Sequence, residues 1–164
     1  MINILFVDRR NSARSVLAEA LLNRVGAGRF EACSAGFDPE AAISPYVLGL
    51  LHGMRYNTSL LATKPVEAMI SKYAPAFDLI ICLSPGMPQG GRWPKAPVMV
   101  DWHIEDPRTV YKEKARLAQA YRDMFDDLAH RLDALAQQPA ESFRDGRIAR
   151  WFDRLDTVSM RIAG

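Results

Sequence analysis

The chain has 164 residues, of which 49% are hydrophobic and 24% charged, and its formal net charge is +2 at pH 7. This length suits one domain with one core, and both fractions are ordinary for a globular protein. The small net charge gives no large basic field for nucleic acid, and no apolar run approaches the roughly 20 residues of a membrane span.

Two cysteines and three histidines are present, and their positions limit the chemistry. Cys33 and Cys82 are too few for a disulfide framework, which fits a reducing compartment. The histidines are scattered, so we expect no zinc site, and we expect no other metal or cofactor. The opening segment MINILFV lacks a basic leader and does not resemble a signal peptide, so we expect a cytoplasmic protein.

The first 36 residues predict one strand–loop–helix–strand unit. Ile2 to Val7 is an apolar run typical of a buried parallel strand, and the polar segment Asp8 to Ala13 ends it. From Arg14 the apolar residues fall at helical spacing. Arg29 to Ala35 has the composition of a second strand.

Helices alternate with strands in the rest of the chain. Ser44 and Pro45 provide a cap and a first-turn proline for the next helix, which we expect to end near Gly53. The further predicted elements are a helix over 64–73, a strand over 77–83, a loop over 84–95, a strand over 97–102 and a long amphipathic helix over 110–137. This alternation implies a parallel sheet covered on both faces.

The segment after Pro139 contains a further amphipathic helix. Ile148, Trp151, Phe152 and Leu155 lie at i, i+3, i+4 and i+7, which predicts one apolar face. We expect a domain over 1–138 and a helical extension over 139–164 that packs on it. The alternative is that this helix is a surface for a homodimer or a protein partner.

The segment Val7 to Ser15, V-D-R-R-N-S-A-R-S, joins a buried strand to the start of a helix. Backbone N–H groups in such a loop can bind an anion, and the helix start adds partial positive charge. Arg14 can hold two oxygens of a phosphate-like ion, and Asn11 tolerates a left-handed backbone. On the residues alone a structural interpretation is equally open, in which Asp8 ends the strand and Ser12 caps the helix.

The opening segment ILFVDRRNSARSVLAEALLNR resembles that of the low-molecular-weight protein tyrosine phosphatases and the thioredoxin-coupled arsenate reductases. That family carries Val-Cys-x-Gly-Asn-x-Cys-Arg-Ser-Pro and then a helix containing Ala-Glu. The matching positions are Val7, Asn11, Arg14, Ser15, Ala18 and Glu19, followed later by Ser34-Ala35-Gly36 and Asp106-Pro107. The resemblance implies a single-domain three-layer α/β/α sandwich of the phosphotyrosine phosphatase I type, with a four-stranded parallel sheet in the order 2-1-3-4.

The resemblance also implies which residues form the site. Asp8 stands at the position of the nucleophilic cysteine, and Asp106 stands at the position of the general acid. The phosphate-binding residues that it implies are Arg9, Arg10, Asn11, Ser12, Ala13, Arg14 and Ser15, and Ser34 lies behind them.

The departures from the family are concentrated at the chemistry. The catalytic cysteine is replaced by Asp8, the loop glycine by Arg10, the second loop cysteine by Ala13 and the following proline by Val16. The relay cysteines of the arsenate reductases are missing from 84–93. An ionised carboxylate at position 8 would be an internal anion under the loop amides, and it would disfavour dianionic phosphate.

These observations favour a degenerate phosphatase that binds phosphate, sulfate or an arsenate-type oxyanion with weak or no hydrolysis. One alternative is an active phosphatase in which Asp8 is an aspartyl-phosphate nucleophile and Asp106 the general acid. A further alternative is a receiver-like regulatory domain, suggested by ILFVD and DLIICLSPGMPQGG, although Leu83 stands at its phospho-acceptor position.

Overall fold

The computed structural model describes residues 1–86, 93 and 97–162. Within these residues the strands β1 (Ile2–Asp8), β2 (Phe30–Gly36), β3 (Leu79–Cys82) and β4 (Val98–Asp101) form one parallel sheet. Its order is β2-β1-β3-β4, which confirms the predicted topology. The inner strand β1 is almost entirely buried, as expected for a parallel strand covered on both faces.

Helices surround this sheet. In the described ranges they are α1 (Arg14–Val25), α2 (Pro45–Gly53), α3 (Val66–Ile70), α4 (Pro107–Val110), α5 (Lys114–Ala136), α6 (Ala140–Arg144) and α7 (Arg147–Ile162). Among the described residues, no helix has both the length and the apolar character needed to cross a membrane.

The helix predicted over 64–73 is wrong in length, since α3 has only five residues. Lys64 precedes Pro65, and a residue before proline is disfavoured in the helical conformation. Lys64 instead accepts the N–H of Gly36 through its carbonyl oxygen at 2.8 Å, next to a bridge between Gly36 and Pro65. The chain is therefore extended here, beside the end of β2, and becomes helical only at Val66.

Two further predicted boundaries differ from the structure. The helix predicted over 110–137 begins later, at Lys114, because the extended backbone of Tyr111 separates it from the short α4. The segment after Pro139 forms two helices, since Gly146 has φ +77° and interrupts them. The predicted loop over 84–95 lies largely outside the described residues.

The sheet buries different amounts of apolar surface on its two faces. Ile4 and Phe6 of β1 point to the larger cluster, which includes apolar residues of α1, α2, α5, α6 and α7. Leu5 and Val7 point to a smaller cluster, which Val66 of α3 helps to cover. The alternation along β1 follows the two-residue period of a strand.

Helix α7 contributes to the larger cluster. Ile148 and Phe152 are buried, and the Phe152 ring lies edge-on to Trp102 with a centroid distance of 5.1 Å. The apolar face of α7 thus packs against the same core as the sheet. The division into a domain over 1–138 and an extension over 139–164 stays a prediction.

Candidate functional site: the loop between β1 and α1

The loop between β1 and α1 lies at the carboxyl edge of the sheet, where ligands bind in open α/β folds. The segment that follows β2 runs along the outside of this loop. The N–H groups of Asp38 and Glu40 donate to the carbonyl oxygens of Arg9 and Arg10, at 2.8 and 2.9 Å respectively. The side chains of Arg9 and Arg10 are exposed, whereas the rest of the loop is buried.

The Asp8 side chain is enclosed by the loop, with the residue 1% exposed. Its Oδ1 accepts the N–H of Asn11 at 2.6 Å, and its Oδ2 accepts the N–H of Ser15 at 3.1 Å. The same Oδ2 is 3.7 Å from Nε of Arg14. The carboxylate therefore takes loop donors of the kind that would otherwise face a bound anion.

Asn11 fixes the shape of the loop. Its φ is 45°, a left-handed conformation that asparagine adopts more readily than most residues. Its Nδ2 donates to the hydroxyls of Ser15 and Ser34 at 2.9 Å each, and its Oδ1 accepts the N–H of Lys64 at 2.6 Å. Because the Lys64 N–H can only donate, this contact identifies the oxygen end of the amide.

A partly buried charge pair lies behind Asn11. The Ser34 hydroxyl donates to Oε2 of Glu19 at 2.5 Å, and Nζ of Lys64 is 3.4 Å from the same oxygen. Burial raises the pKa of Glu19, and the hydrogen bond from Ser34 and the charge of Lys64 oppose this only in part. Ser34 therefore donates to Glu19 while it accepts from Asn11, and the loop is connected to α1 through both.

The Arg14 guanidinium contacts protein groups on three sides. Its Nη1 donates to the carbonyl oxygen of Ile104 at 2.9 Å, and its Nη2 is 3.8 Å from Oδ2 of Asp106. Together with Asp8, this places a carboxylate on each side of the arginine. Its charge and part of its donor fork are thus already used within the protein.

Asp106 begins α4 and is held by Arg108. Its Oδ1 accepts the backbone N–H of Arg108 at 3.0 Å, the usual contact of a helix N-cap. Nε and Nη2 of Arg108 lie 3.3 Å from Oδ1 and Oδ2 respectively. Burial alone would raise the pKa of Asp106, but the hydrogen bonds and charge of Arg108, with the charge of Arg14, bring that pKa below its ordinary value.

These contacts form an ion-pair chain of six side chains whose charges alternate in sign. The consecutive distances are 3.7, 3.8, 3.3, 2.8 and 3.2 Å along Asp8, Arg14, Asp106, Arg108, Glu40 and Arg10. This ion-pair chain joins three separate segments of the sequence around the loop. Its formal charges sum to zero.

A cleft of about 630 Å³ opens above the loop. It is lined by the basic side chains Arg9, Arg10 and Arg14, the acidic side chains Asp38, Glu105 and Asp106, and apolar groups that include Phe37, Pro85 and Ile104. Four of the predicted site residues therefore line the cleft: Arg9, Arg10, Arg14 and Asp106. Among the described residues, the equal numbers of basic and acidic side chains in the wall of the cleft do not give the cationic surface that a phosphate dianion would need.

Several residues of the site were not predicted from the sequence: Glu40, Lys64, Ser84, Ile104 and Arg108. Ser84 could have been found, because it follows β3 at the edge where neighbouring strands end and it lines the cleft. Its hydroxyl has no hydrogen-bond partner among the described residues. Glu40 and Arg108 carry no comparable signal, since only the folded chain brings them together.

Neither cysteine has the environment of a nucleophile. Burial, with the charge of Asp101, raises the pKa of Cys82 to about 11, and burial also raises the pKa of Cys33. Both therefore stay as thiols at neutral pH. In the part of the chain that the structure describes, no three His, Cys, Asp or Glu side chains come together in a way that could hold a metal ion.

Comparisons with known proteins agree with this geometry. The sequence profile of the family "Low molecular weight phosphotyrosine protein phosphatase" matches residues 3–90. A glutaredoxin arsenate reductase of Synechocystis is 28% identical over 108 residues, which are 65% of this chain and 79% of that protein.

Two solved structures share the fold. An arsenate reductase of Archaeoglobus fulgidus is 26% identical with a TM-score of 0.65, over 82% of this chain and 99% of the other. An arsenate reductase described as being in the phosphate binding state is 24% identical with a TM-score of 0.67, over 83% of this chain and 97% of the other.

Proposed function

Because the chain belongs to the low molecular weight phosphotyrosine protein phosphatase family, we propose that it is a non-hydrolysing member whose loop holds its own carboxylate. The observation that carries this proposal is that the carboxylate of Asp8 accepts the N–H groups of Asn11 and Ser15. In the family a thiolate attacks phosphorus while loop donors hold the phosphoryl oxygens. Asp8 supplies no thiolate and engages donors of the loop.

Electrostatics supports the same proposal. Two unit charges about 4 Å apart repel by roughly 4 kcal/mol at an intermediate dielectric, so a phosphate next to Asp8 would be opposed by several kcal/mol. The exposed guanidinium groups of Arg9 and Arg10 offset part of this. We therefore propose that phosphate, sulfate or an arsenate-type oxyanion binds weakly, at the outer side of the loop.

The aspartyl-phosphate alternative receives less support from the geometry. Each Asp8 oxygen accepts one amide N–H, which leaves it a further lone pair but makes it a weaker nucleophile towards phosphorus. Membership of the phosphatase family also argues against the receiver-like alternative. An assay of phosphatase turnover distinguishes the active-enzyme alternative from the proposal.

Turnover of 4-nitrophenyl phosphate tests the proposal directly. We expect no turnover above background for the wild type or for the control Asp126→Ser, which changes an exposed carboxylate on α5. We expect Asp8→Cys to gain activity, because it restores the nucleophile in the same loop, and Arg14→Ala to remove that gain. Robust turnover by the wild type that is lost in Asp8→Asn would overturn the proposal and favour the aspartyl nucleophile.

Oxyanion affinity provides a second test that needs no catalysis. Asp8→Ser removes the internal charge without adding a nucleophile, so vanadate and phosphate should bind at least about tenfold more tightly than to the wild type, a gain of about 1.4 kcal/mol. Titration calorimetry measures this difference, and Asp126→Ser should match the wild type. Equal affinities for Asp8→Ser and wild type would contradict the role of Asp8 as a resident anion.

A further inference from the structure

The carboxylate of Asp106 is surrounded by donors. Arg108 donates to both of its oxygens through one backbone and two side-chain N–H groups, and Arg14 approaches Oδ2 from α1. From α5, the phenol of Tyr121 faces the same charges: burial raises its pKa, Ser44 and the charge of Arg108 oppose this rise, and the charges of Asp106 and Glu40 add to it. The contacts to Arg108 all require Asp106 as an acceptor.

Arg108 is itself held in place by Glu40. Its Nη1 donates to Oε1 of Glu40 at 2.8 Å, and the same oxygen is 3.2 Å from Nη1 of Arg10. The Asp106 side chain is only 10% exposed and that of Arg108 29%, so solvent and salt screen this pair incompletely. The guanidinium therefore has a fixed position beside Asp106.

We propose that Arg108 is a positioning residue that fixes Asp106 as a hydrogen-bond acceptor, so that the site lacks a proton donor as well as a nucleophile. This inference rests on the proposed function, since it concerns the same site, but it identifies a second and separate defect. Asp8→Cys alone should then produce an incomplete phosphatase.

The chemistry of phosphoryl transfer makes this defect measurable. When a thiolate at position 8 attacks phosphorus, an S–P bond forms and the P–O bond to the leaving group breaks, with its electron pair going to the leaving oxygen. A 4-nitrophenolate can depart as an anion, whereas an unsubstituted phenolate needs a proton to arrive as it leaves. An Asp106 carboxylate that only accepts hydrogen bonds cannot deliver that proton.

The first experiment compares these two substrates in the full chain carrying Asp8→Cys. We expect phenyl phosphate to be turned over far more slowly than 4-nitrophenyl phosphate. Adding Arg108→Gln should raise kcat/KM for phenyl phosphate relative to 4-nitrophenyl phosphate by at least about tenfold, a part of the roughly 100-fold or more that general acid catalysis contributes, and should move the basic limb of the pH profile upward. Arg108→Lys keeps the charge but loses the planar fork, so its ratio should be intermediate.

Arg116→Gln is the matched control, because it removes an exposed arginine that pairs with Glu113, and neither residue is among those that line the cleft. It should leave the ratio of the two kcat/KM values unchanged. An unchanged ratio in the Arg108→Gln variant as well, with circular dichroism showing a folded protein, would overturn the proposal.

A second experiment is independent of any activity. Carbon-13 NMR can follow the Asp106 carboxyl through a pH titration in the chain that retains Asp8, with and without Arg108→Gln. We expect its midpoint to move to higher pH in the variant, and an unmoved midpoint would show that Arg108 does not set the state of Asp106. This measurement needs no turnover, so its failure would contradict only the role of Arg108. Hydrolysis by the wild type would instead contradict the proposed function.

Discussion

At the scale of single residues, Gly36 shows how closely β2 approaches the loop. A Cβ at this position would lie 2.8 Å from Cβ of Asn11 and 2.9 Å from the carbonyl oxygen of Arg9. These are backbone and near-backbone atoms of a buried loop, so they can move only if the loop shifts. The small residue at the end of β2 is therefore a requirement of the loop geometry.

Gly36→Ala should lower the free energy of unfolding by about 1–3 kcal/mol, as overpacking typically does. Gly49→Ala is the control, because nothing lies within 4 Å of a Cβ there and alanine is the better helix former in α2. Urea denaturation of both variants checks this. A Gly36→Ala protein as stable as Gly49→Ala would show that the loop has room to adapt.

Asp106 makes stability depend on pH, with a sign that follows from its lowered pKa. A carboxyl whose pKa is lower in the folded state stabilises the fold above its unfolded pKa, and this contribution disappears as the pH falls through the folded pKa. Asp106→Asn keeps an acceptor for the helix cap but removes the charge. We expect it to cost about 1.5–3 kcal/mol at neutral pH, the range for a hydrogen bond to a charged group.

The difference between wild type and Asp106→Asn should narrow as the pH falls below about 3.9, the ordinary value for aspartic acid. Thermal or urea unfolding measures this difference from about pH 2 to about pH 8, on both sides of the ordinary pKa, with Asp126→Asn as the exposed control. A difference that is constant with pH would mean that the carboxylate charge contributes nothing to the fold.

The residues of the loop differ in how far their roles could be predicted. The strand–loop–helix pattern and the family resemblance locate Asn11, Arg14 and Ser15 at an anion-binding loop. Neither could show that Arg14 donates to the carbonyl oxygen of Ile104, because that partner is 90 positions away in the sequence. The orientation of a long, flexible side chain depends on which acceptors the fold brings within reach.

At the scale of elements, predictions from periodicity succeeded where the apolar pattern was long and failed where backbone chemistry interrupted it. The existence of α1 and α5 follows from their apolar spacing, and that of α2 from Ser44 and Pro45 at its start. The limits of α3 and the break before α7 depend on Pro65 and Gly146, whose local effects override the pattern. Hydrophobic patterning thus predicts which elements exist better than where they end.

Helix α7 offers a test of its packing against the main core. Ile148→Ala should lower the free energy of unfolding by about 2–5 kcal/mol, because Ile148 is fully buried and the change leaves a cavity. Arg150→Ala, an exposed position on the same helix, should change stability by less than about 0.5 kcal/mol. If thermal unfolding shows Ile148→Ala to be as mild as Arg150→Ala, α7 is docked only loosely.

At the scale of the whole molecule, the order of the sheet could be predicted because parallel strands alternate with helices and the family resemblance supplies the connections. The ion-pair chain could not be predicted. Its six side chains come from three distant segments of the sequence, and no spacing along the sequence indicates that these segments meet. The first segment contributes Asp8, Arg10 and Arg14, the second Glu40, and the third Asp106 and Arg108. Such a chain is a property of the folded site rather than of any motif.

The alternating charges of the ion-pair chain also affect how ligands reach the protein. Six alternating charges that sum to zero produce a field that falls off with distance faster than that of a net charge, so the ion-pair chain draws an approaching anion only weakly from a distance. Encounters with anionic peptides should then proceed at the unsteered rate of about 10⁵–10⁶ M⁻¹s⁻¹, with little dependence on ionic strength. Replacing Asp8 with an uncharged residue would leave one net positive charge on the ion-pair chain and make the encounter rate more sensitive to salt, so position 8 influences how a ligand approaches as well as how it binds.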